Sequence, residues 1–397
     1  MSPPTPRRLR RFAGRVLGLE KYLNHPGDGR RRPQIAARHL LWAQIIGEVL
    51  RQGAFHAIEF LVRSRARPAL GVARPFGDDA LAYFTERLDV SAMRRALAGA
   101  LKRAKRNKAF ETSRFIGLAL DGTGTGRCQA VGCRLCRPIR HAERGVVGQV
   151  HALSLLSIVG TGVVLPVDVE PYGPGDSELA ASQRVLERGH EHLGPRFADY
   201  VVVDGLYGAA PFLNRVRQLG LRAVVRLKEN LPELARAVQV RFDGRAPDLV
   251  FEHGGDRVEV WDADDFDPWG DLVWSTVRVI RYRQHKRNGT TVQADWLTDY
   301  PTAQVGSRAL YALAKSRWEI ENGGFNDAKN RYGLERIRHH HENSLLIGWL
   351  LICLSLVIER LYRLRFLHRG GHHPRSAIAL VRALWLALGA PRLANSS

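Results

Sequence analysis

Acidic residues are under-supplied in this chain. Thirty-nine Asp and Glu stand against 60 Lys and Arg, a formal net charge of +21 with a pI near 10.6. Such a surface attracts polyanions, of which nucleic acid is the commonest. Most of the excess is arginine, which a GC-rich codon usage also produces, so charge points to a partner without identifying a function. Cysteine is scarce too. Four in 397 residues are too few for a secreted disulfide scaffold, and three of them fall within residues 128–136. Clustered thiols fit a reducing cytosol and metal binding. The opening "MSPPTPRRLRRFAGR" lacks the apolar stretch of a secretory signal. Long apolar runs are missing as well. The longest, "LLIGWLLICLSLVI" (345–358), has 14 residues, short for a bilayer span and suited to a buried helix. No membrane partner is expected, and no internal repeat is visible.

What is present divides the chain. Residues 1–33 are rich in Arg, Pro and Gly and read as a mobile basic arm. Helical apolar spacing over 34–110, ending in "ALKRAKRNK", predicts a basic helical module suited to DNA contact. From 111 the pattern becomes α/β. "RFIGLAL", "HALSLLSIVG" and "GVVLPVDVEPY" read as strands. Helix "DSELAASQRVLERGHEHL", strand "DYVVVDG", helix "AAPFLNRVRQLG" and strand "LRAVVRLKEN" follow, predicting a mixed sheet flanked by helices. Residues 232–300, with turn signals at "HGGD", "PWGD" and "RNGT", read as an all-β insertion. The α/β pattern resumes over 301–343, and 344–397 reads as a C-terminal helical segment.

Two strands end alike. "LALDGT" and "VVVDGL" each place an aspartate after buried β residues and before glycine, at Asp121 and Asp204. Ionised carboxylates at a core edge are costly unless paired or bound to a cation. The carboxyl ends of α/β strands are where sites gather. Two such groups on adjacent strands make a hard-oxygen site for Mg²⁺. A two-metal site needs a third acid, and "SRWEIENGGFNDAKNRYG" offers Glu319 and Glu321. Two apart on a helix, they face different ways. Arg317, one turn before Glu321, selects Glu321 and leaves Glu319 as a surface acid.

This order of strand Asp, strand Asp and helix Glu after a β-rich insertion resembles the DDE transposases, in particular the bacterial insertion-sequence, cut-and-paste group with a ribonuclease-H-like core. The group's helix signature is Tyr, two residues, Arg, three residues, Glu, six residues, Lys. Arg317 and Glu321 match it. Ala314 and Ala328 occupy the Tyr and Lys positions, with Lys329 one residue late. "VVVDGLYGAAPFLNRVRQLGLRAVVRLKEN" is similar to the block around that group's second aspartate, and the resemblance spans about 115–340. It implies that Asp121, Asp204 and Glu321 hold two Mg²⁺ ions, with Mn²⁺ an acceptable substitute. It implies phosphodiester hydrolysis at transposon ends and strand transfer into target DNA. Arg317, Lys329, Arg226 and Lys228 become phosphate contacts. A homodimer on double-stranded DNA and a cytoplasmic, nucleoid-associated location follow. The alternatives are a ribonuclease-H-like nuclease or resolvase, and a domesticated, non-catalytic DNA-binding protein.

"GTGTG" after Asp121 is followed neither by the Gly-Lys-Ser/Thr of a phosphate loop nor by a helix, and reads as a flexible exit. Beyond it, Cys128, Cys133, Cys136 and His141 are chemically a complete tetrahedral zinc set, with His151 an alternative fourth ligand. The histidines of "RHHHEN" (338–343) and "HRGGHH" (368–373) read as solvated basic surface. Of Trp261, Trp269, Trp274 and Trp296 in the insertion, Trp269 is expected to be the most exposed, and most of the others to be core.

Overall fold

The computed structural model describes residues 3–228, 230–367 and 376–389. Ten strands form one mixed sheet: β1 (Gly117–Cys128), β2 (Arg137–His141), β3 (Gly145–Val159), β4 (Leu165–Pro171), β5 (Tyr200–Val203), β6 (Arg222–Arg226), β7 (Leu249–His253), β8 (Asp256–Phe266), β9 (Val277–His285) and β10 (Thr291–Thr298). Their order is β2-β3-β1-β5-β6-β10-β9-β8-β7, with β4 also paired to β3. Within it, β4, β3 and β1 run antiparallel, and β1, β5 and β6 run parallel. This is the ribonuclease-H-like mixed sheet that the resemblance implies.

The β-rich region is less separate than its sequence suggests. It opens with a helix, Pro232–Phe242, whose Pro at the first turn and buried Leu234, Val238 and Phe242 give a helical period. Its last strand, β10, pairs antiparallel with β6, so β7–β10 extend the central sheet. Trp261, Trp274 and Trp296 are buried, and Trp269 is half-buried.

The segment expected as a mobile basic arm is also different. Residues Pro6–Arg11, Phe12–Val16 and Glu20–Asn24 are helical, and Leu9, Phe12, Leu17, Leu19 and Leu23 are buried. Phe12 meets Tyr362 edge-on at 5.3 Å. Arginines between these apolar positions hide an amphipathic period, because their long apolar stems can pack beside it.

The helix Glu342–Leu367 is long and apolar enough to cross a bilayer, yet 89% of its most apolar window is buried in protein. It packs on β4 and on the helices Val90–Arg106 and Ala37–Val49. Its polar residues are matched. Glu359 accepts from Arg51 at 2.7 Å and from Tyr332 at 2.5 Å, and Arg360 pairs with Asp327 at 2.7 Å. These bonds hold the helical stretch that carries Glu321. The "HRGGHH" motif lies outside the described residues.

"GTGTG" is strand, not a flexible exit. β1 runs through it to Cys128, laddered to β3 with a bulge between Gly124 and Arg127. The glycines serve close approach. A Cβ on Gly122 would stand 2.2 Å from the Glu178 carboxylate, and one on Gly126 2.6 Å from Ile337 and 2.9 Å from the Glu335 carbonyl. The Gly126 neighbours include backbone, which cannot swing away. Gly126→Ala is therefore expected to lower stability by about 1–3 kcal/mol in urea unfolding; an unchanged midpoint would disprove the close packing.

Candidate active site

The parallel register of β1 and β5 pairs Gly117 with Tyr200, Leu118 with Val201 and Ala119 with Val202. Two residues further along each chain stand Asp121 and Asp204. They therefore sit side by side where β5 ends and β1 continues alone with β3. The matching "LALDG" and "VVVDG" frames are thus one geometric step on two neighbouring strands.

Glu321 comes from the other side. Arg317–Glu319 is a short helical turn that passes into a π-helical turn, Ile320–Phe325, and then into Asn326–Tyr332. Such widened turns are frequent at functional sites. Arg317 is buried, and its guanidinium reaches Glu321 Oε1 at 2.8 Å and Asp121 Oδ2 at 4.0 Å. The same positive charge lowers the Asp204 pKa, after the larger effects of burial, which opposes, and of Lys228. One arginine thus lies among all three predicted carboxylates.

The two aspartates differ electrically. Lys228 Nζ donates to Asp204 Oδ2 at 2.6 Å, and the net effect holds Asp204 below its usual range. Burial pushes Asp121 up to about 6, against the pull of Arg317 and with the help of Glu178 and Glu321. Glu178 is a fourth carboxylate that the sequence reading missed. It occupies the first turn of the helix Glu178–Leu193, capped by Ser177, and accepts hydrogen bonds from Tyr207 (3.0 Å) and Tyr172 (3.4 Å). An acid directly after a serine cap was the available signal, and it also describes an ordinary helix start.

The other predicted contacts are placed variably. Lys329 pairs with Glu335 at 3.3 Å. The Arg226 guanidinium lies over the Trp296 ring, 5.7 Å from its centroid, and donates to the Gln293 carbonyl. Glu319 is not a surface acid: it is half-buried and accepts the Gly160 N–H at 2.9 Å, anchoring the helix to the end of β3. Tyr311, near the signature's Tyr position, is core, edge-on to Tyr282 at 5.1 Å.

The cysteine set also changes. His141 is exposed at the edge of the sheet, its Nδ1 accepting from the Glu143 N–H. The ligand atoms that converge belong to Cys133, Cys136, His151 and His340, all within 4.8 Å of one another. Cys128 lies beside Cys136 but outside that group. "RHHHEN" is accordingly only partly solvated surface: His341 is exposed, but its neighbours are engaged. Arg338 pairs with buried Glu48, His339 with Glu86 at 2.8 Å, and His340 enters the cluster. Among the described residues this is the group of three or more such ligand atoms gathered tightly enough for one ion.

A mixed α/β sheet that brings two aspartates to the same register step, with a helix glutamate tied in by arginine, has the layout of enzymes that transfer phosphoryl groups with metal assistance. A family model described as "Transposase DDE domain" matches residues 116–358, and the chain belongs to that family. It is a DNA transposase, an enzyme of DNA cleavage and strand transfer. No curated protein matches by sequence. Among solved structures, a cryo-EM structure of a piggyBac transposase synaptic complex with hairpin DNA aligns with 97% of this chain and 80% of its own, at 11% identity and a TM-score of 0.49.

Proposed function

We propose that Asp121, Asp204 and Glu321 hold the divalent cations of the transposition reaction, Mg²⁺ with Mn²⁺ able to replace it. The observation that carries this is the shared register step of the two aspartates together with the Arg317 link from Asp121 to Glu321. The donors fit the ions: all are carboxylate oxygens, the ligands that hard cations take. The mutual crowding of Asp121, Glu178 and Glu321 is negative charge that a dication relieves. These carboxylates would hold the ions, which would supply activation of the attacking oxygen and stabilisation of the leaving one.

The chain's own residues do the rest. Lys228 keeps Asp204 ionised and oriented. Arg317 holds Glu321 towards Asp121 and offers positive charge to a phosphate between them. Tyr207 and Tyr172 fix Glu178 at the edge of the site. Lys228, Arg317 and Arg226 contact backbone phosphates, which position DNA without reading sequence. Lys329 joins them once it leaves Glu335. The N-terminal helices add a basic groove lined by Arg7, Arg10, Arg11, Arg15, Arg38 and Trp42, suited to flanking duplex. The substrates are double-stranded transposon ends and a target duplex. Two ends call for a homodimer on DNA, and the location is cytoplasmic and nucleoid-associated.

The test is cleavage and joining of an end-mimicking duplex in Mg²⁺, with loss of both on chelation. Cleavage without joining would favour a nuclease instead.

The Asp121 pKa carries a second expectation for chelated protein. Its folded value, about 6, lies above the ordinary 3.8, so the folded state holds its proton longer than the unfolded chain. The contribution of Asp121 to stability therefore falls as pH rises from about 4 to about 6, then levels. Asp121→Asn removes this cost. In EDTA it is expected to be more stable than wild type at pH 7.5, by up to about 3 kcal/mol, with the gap closing near pH 4. A gap independent of pH would refute the assignment.

A further inference from the structure

We propose that Cys133, Cys136, His151 and His340 bind one structural Zn²⁺, which clasps the connection between β1 and β2 to the chain segment that follows the Glu321 helix. This site is separate from the carboxylates and draws its ligands from three places. Cys133 and Cys136 lie in the β1–β2 connection, His151 on β3, and His340 just before the helix Glu342–Leu367.

Four of the six ligand-to-ligand distances match the edges of a zinc tetrahedron, and all lie within 4.8 Å. Zn–S bonds of about 2.3 Å and Zn–N bonds of about 2.0 Å place sulfurs about 3.8 Å apart and a sulfur about 3.5 Å from a nitrogen. The two sulfurs are 3.9 Å apart. His151 Nε2 is 3.3 Å from Cys133 Sγ and 3.5 Å from Cys136 Sγ, and His340 Nε2 is 3.2 Å from Cys136 Sγ. These are four edges of one small polyhedron made of atoms that each carry a lone pair. Both imidazoles present the same nitrogen. His151 Nδ1 lies 3.1 Å from the Gly126 carbonyl oxygen, the outer hydrogen bond that leaves Nε2 free to ligate. The Gly132 N–H donates to Cys136 Sγ at 3.4 Å, which suits a thiolate. His151 and Cys136 are buried and Cys133 and His340 half-buried, so the site is largely shielded from water. Two sulfurs and two imidazoles select zinc over Mg²⁺, which takes oxygen.

The clasp has a structural consequence. Residues 335–337 cross over Gly126 of β1, and Arg338 and His339 pair with the N-terminal helices. Zinc would fix this crossing from the other side. It would hold the segment after Glu321 against the strand that carries Asp121.

The test uses full-length protein expressed with added zinc and purified without chelator. It is expected to carry about one zinc per chain, with X-ray absorption giving two sulfurs near 2.3 Å and two nitrogens near 2.0 Å. His340→Ala and Cys136→Ser are expected to lower zinc content at least tenfold, whereas His141→Ala and Cys128→Ser keep it. Because a ligand variant can misfold, the wild-type absorption spectrum decides independently. Protein without zinc, a shell of oxygen and nitrogen only, a Cys133–Cys136 disulfide in fresh protein, or zinc lost with His141→Ala but kept with His340→Ala would each overturn the assignment.

Discussion

Alanine at Asp121, Asp204 or Glu321 is expected to lower strand cleavage by at least about 10³-fold, with DNA binding changed only a few-fold. Metal-assisted stabilisation of a phosphoryl transition state is worth several kcal/mol, and each 1.36 kcal/mol is tenfold in rate. DNA binding rests on phosphate contacts spread over many cations, so it survives the loss of one carboxylate. Folding should survive too. Glu321 is 45% exposed and Asp204 31% exposed at the side chain, and Asp121 is a net cost to the chelated fold. Glu319→Ala supplies the contrast from two residues away. It removes the acceptor of the Gly160 N–H, so the expected loss is about 1–3 kcal/mol of stability with chemistry largely intact. Gel assays of cleavage beside urea melts separate the two outcomes. Full activity in any of the three alanine variants would sink the site, as would a dead but stable Glu319→Ala.

The second large effect lies in the core. Glu48 is 1% exposed, and its ion-pair partner is Arg338, from a segment 290 residues away. Burial raises the Glu48 pKa more than Arg338 lowers it, so the pair is costly to split. Arg338→Met is expected to destabilise the protein by about 3–5 kcal/mol, because it strands a buried carboxyl. The loss should grow as pH rises, since the stranded group resists ionisation in the folded state only. Adding Glu48→Met should recover most of it, as apolar replacements of buried pairs often do. Urea melts of the two single variants and the double at two pH values measure this. A double variant no more stable than Arg338→Met would show that the pair does not act as a unit.

The two aspartates were legible because their signal is local. Strand propensity, the glycine that follows and the buried residues before them all sit within six positions. That they share a register step is a property of β1–β5 pairing, not of either segment. Glu321 was chosen by an i, i+4 relation to Arg317, and that bond exists. Glu178 escaped because its place beside Gly122 depends on packing of the helix Glu178–Leu193 against β1. The zinc reading found Cys133 and Cys136 from their spacing and weighed His151. His141 is near in sequence, but a register shift after Ile139 and the edge position of β2 leave that ring in solvent. His340 lies 204 residues from Cys136, beyond any local spacing rule. The N-terminal arginines and the "GTGTG" run misled for one reason. Composition reports solubility and freedom, and both segments are held by partners elsewhere in the chain.

The sequence alone determined the class of enzyme and singled out three candidate carboxylates, since residue type and strand-end position are written locally. Tertiary structure alone decided the electrical difference between Asp121 and Asp204, the anchoring of Glu319, and the closing of a sulfur–imidazole cluster around His340. Each depends on side chains made neighbours by folding, where burial and distance set the energy.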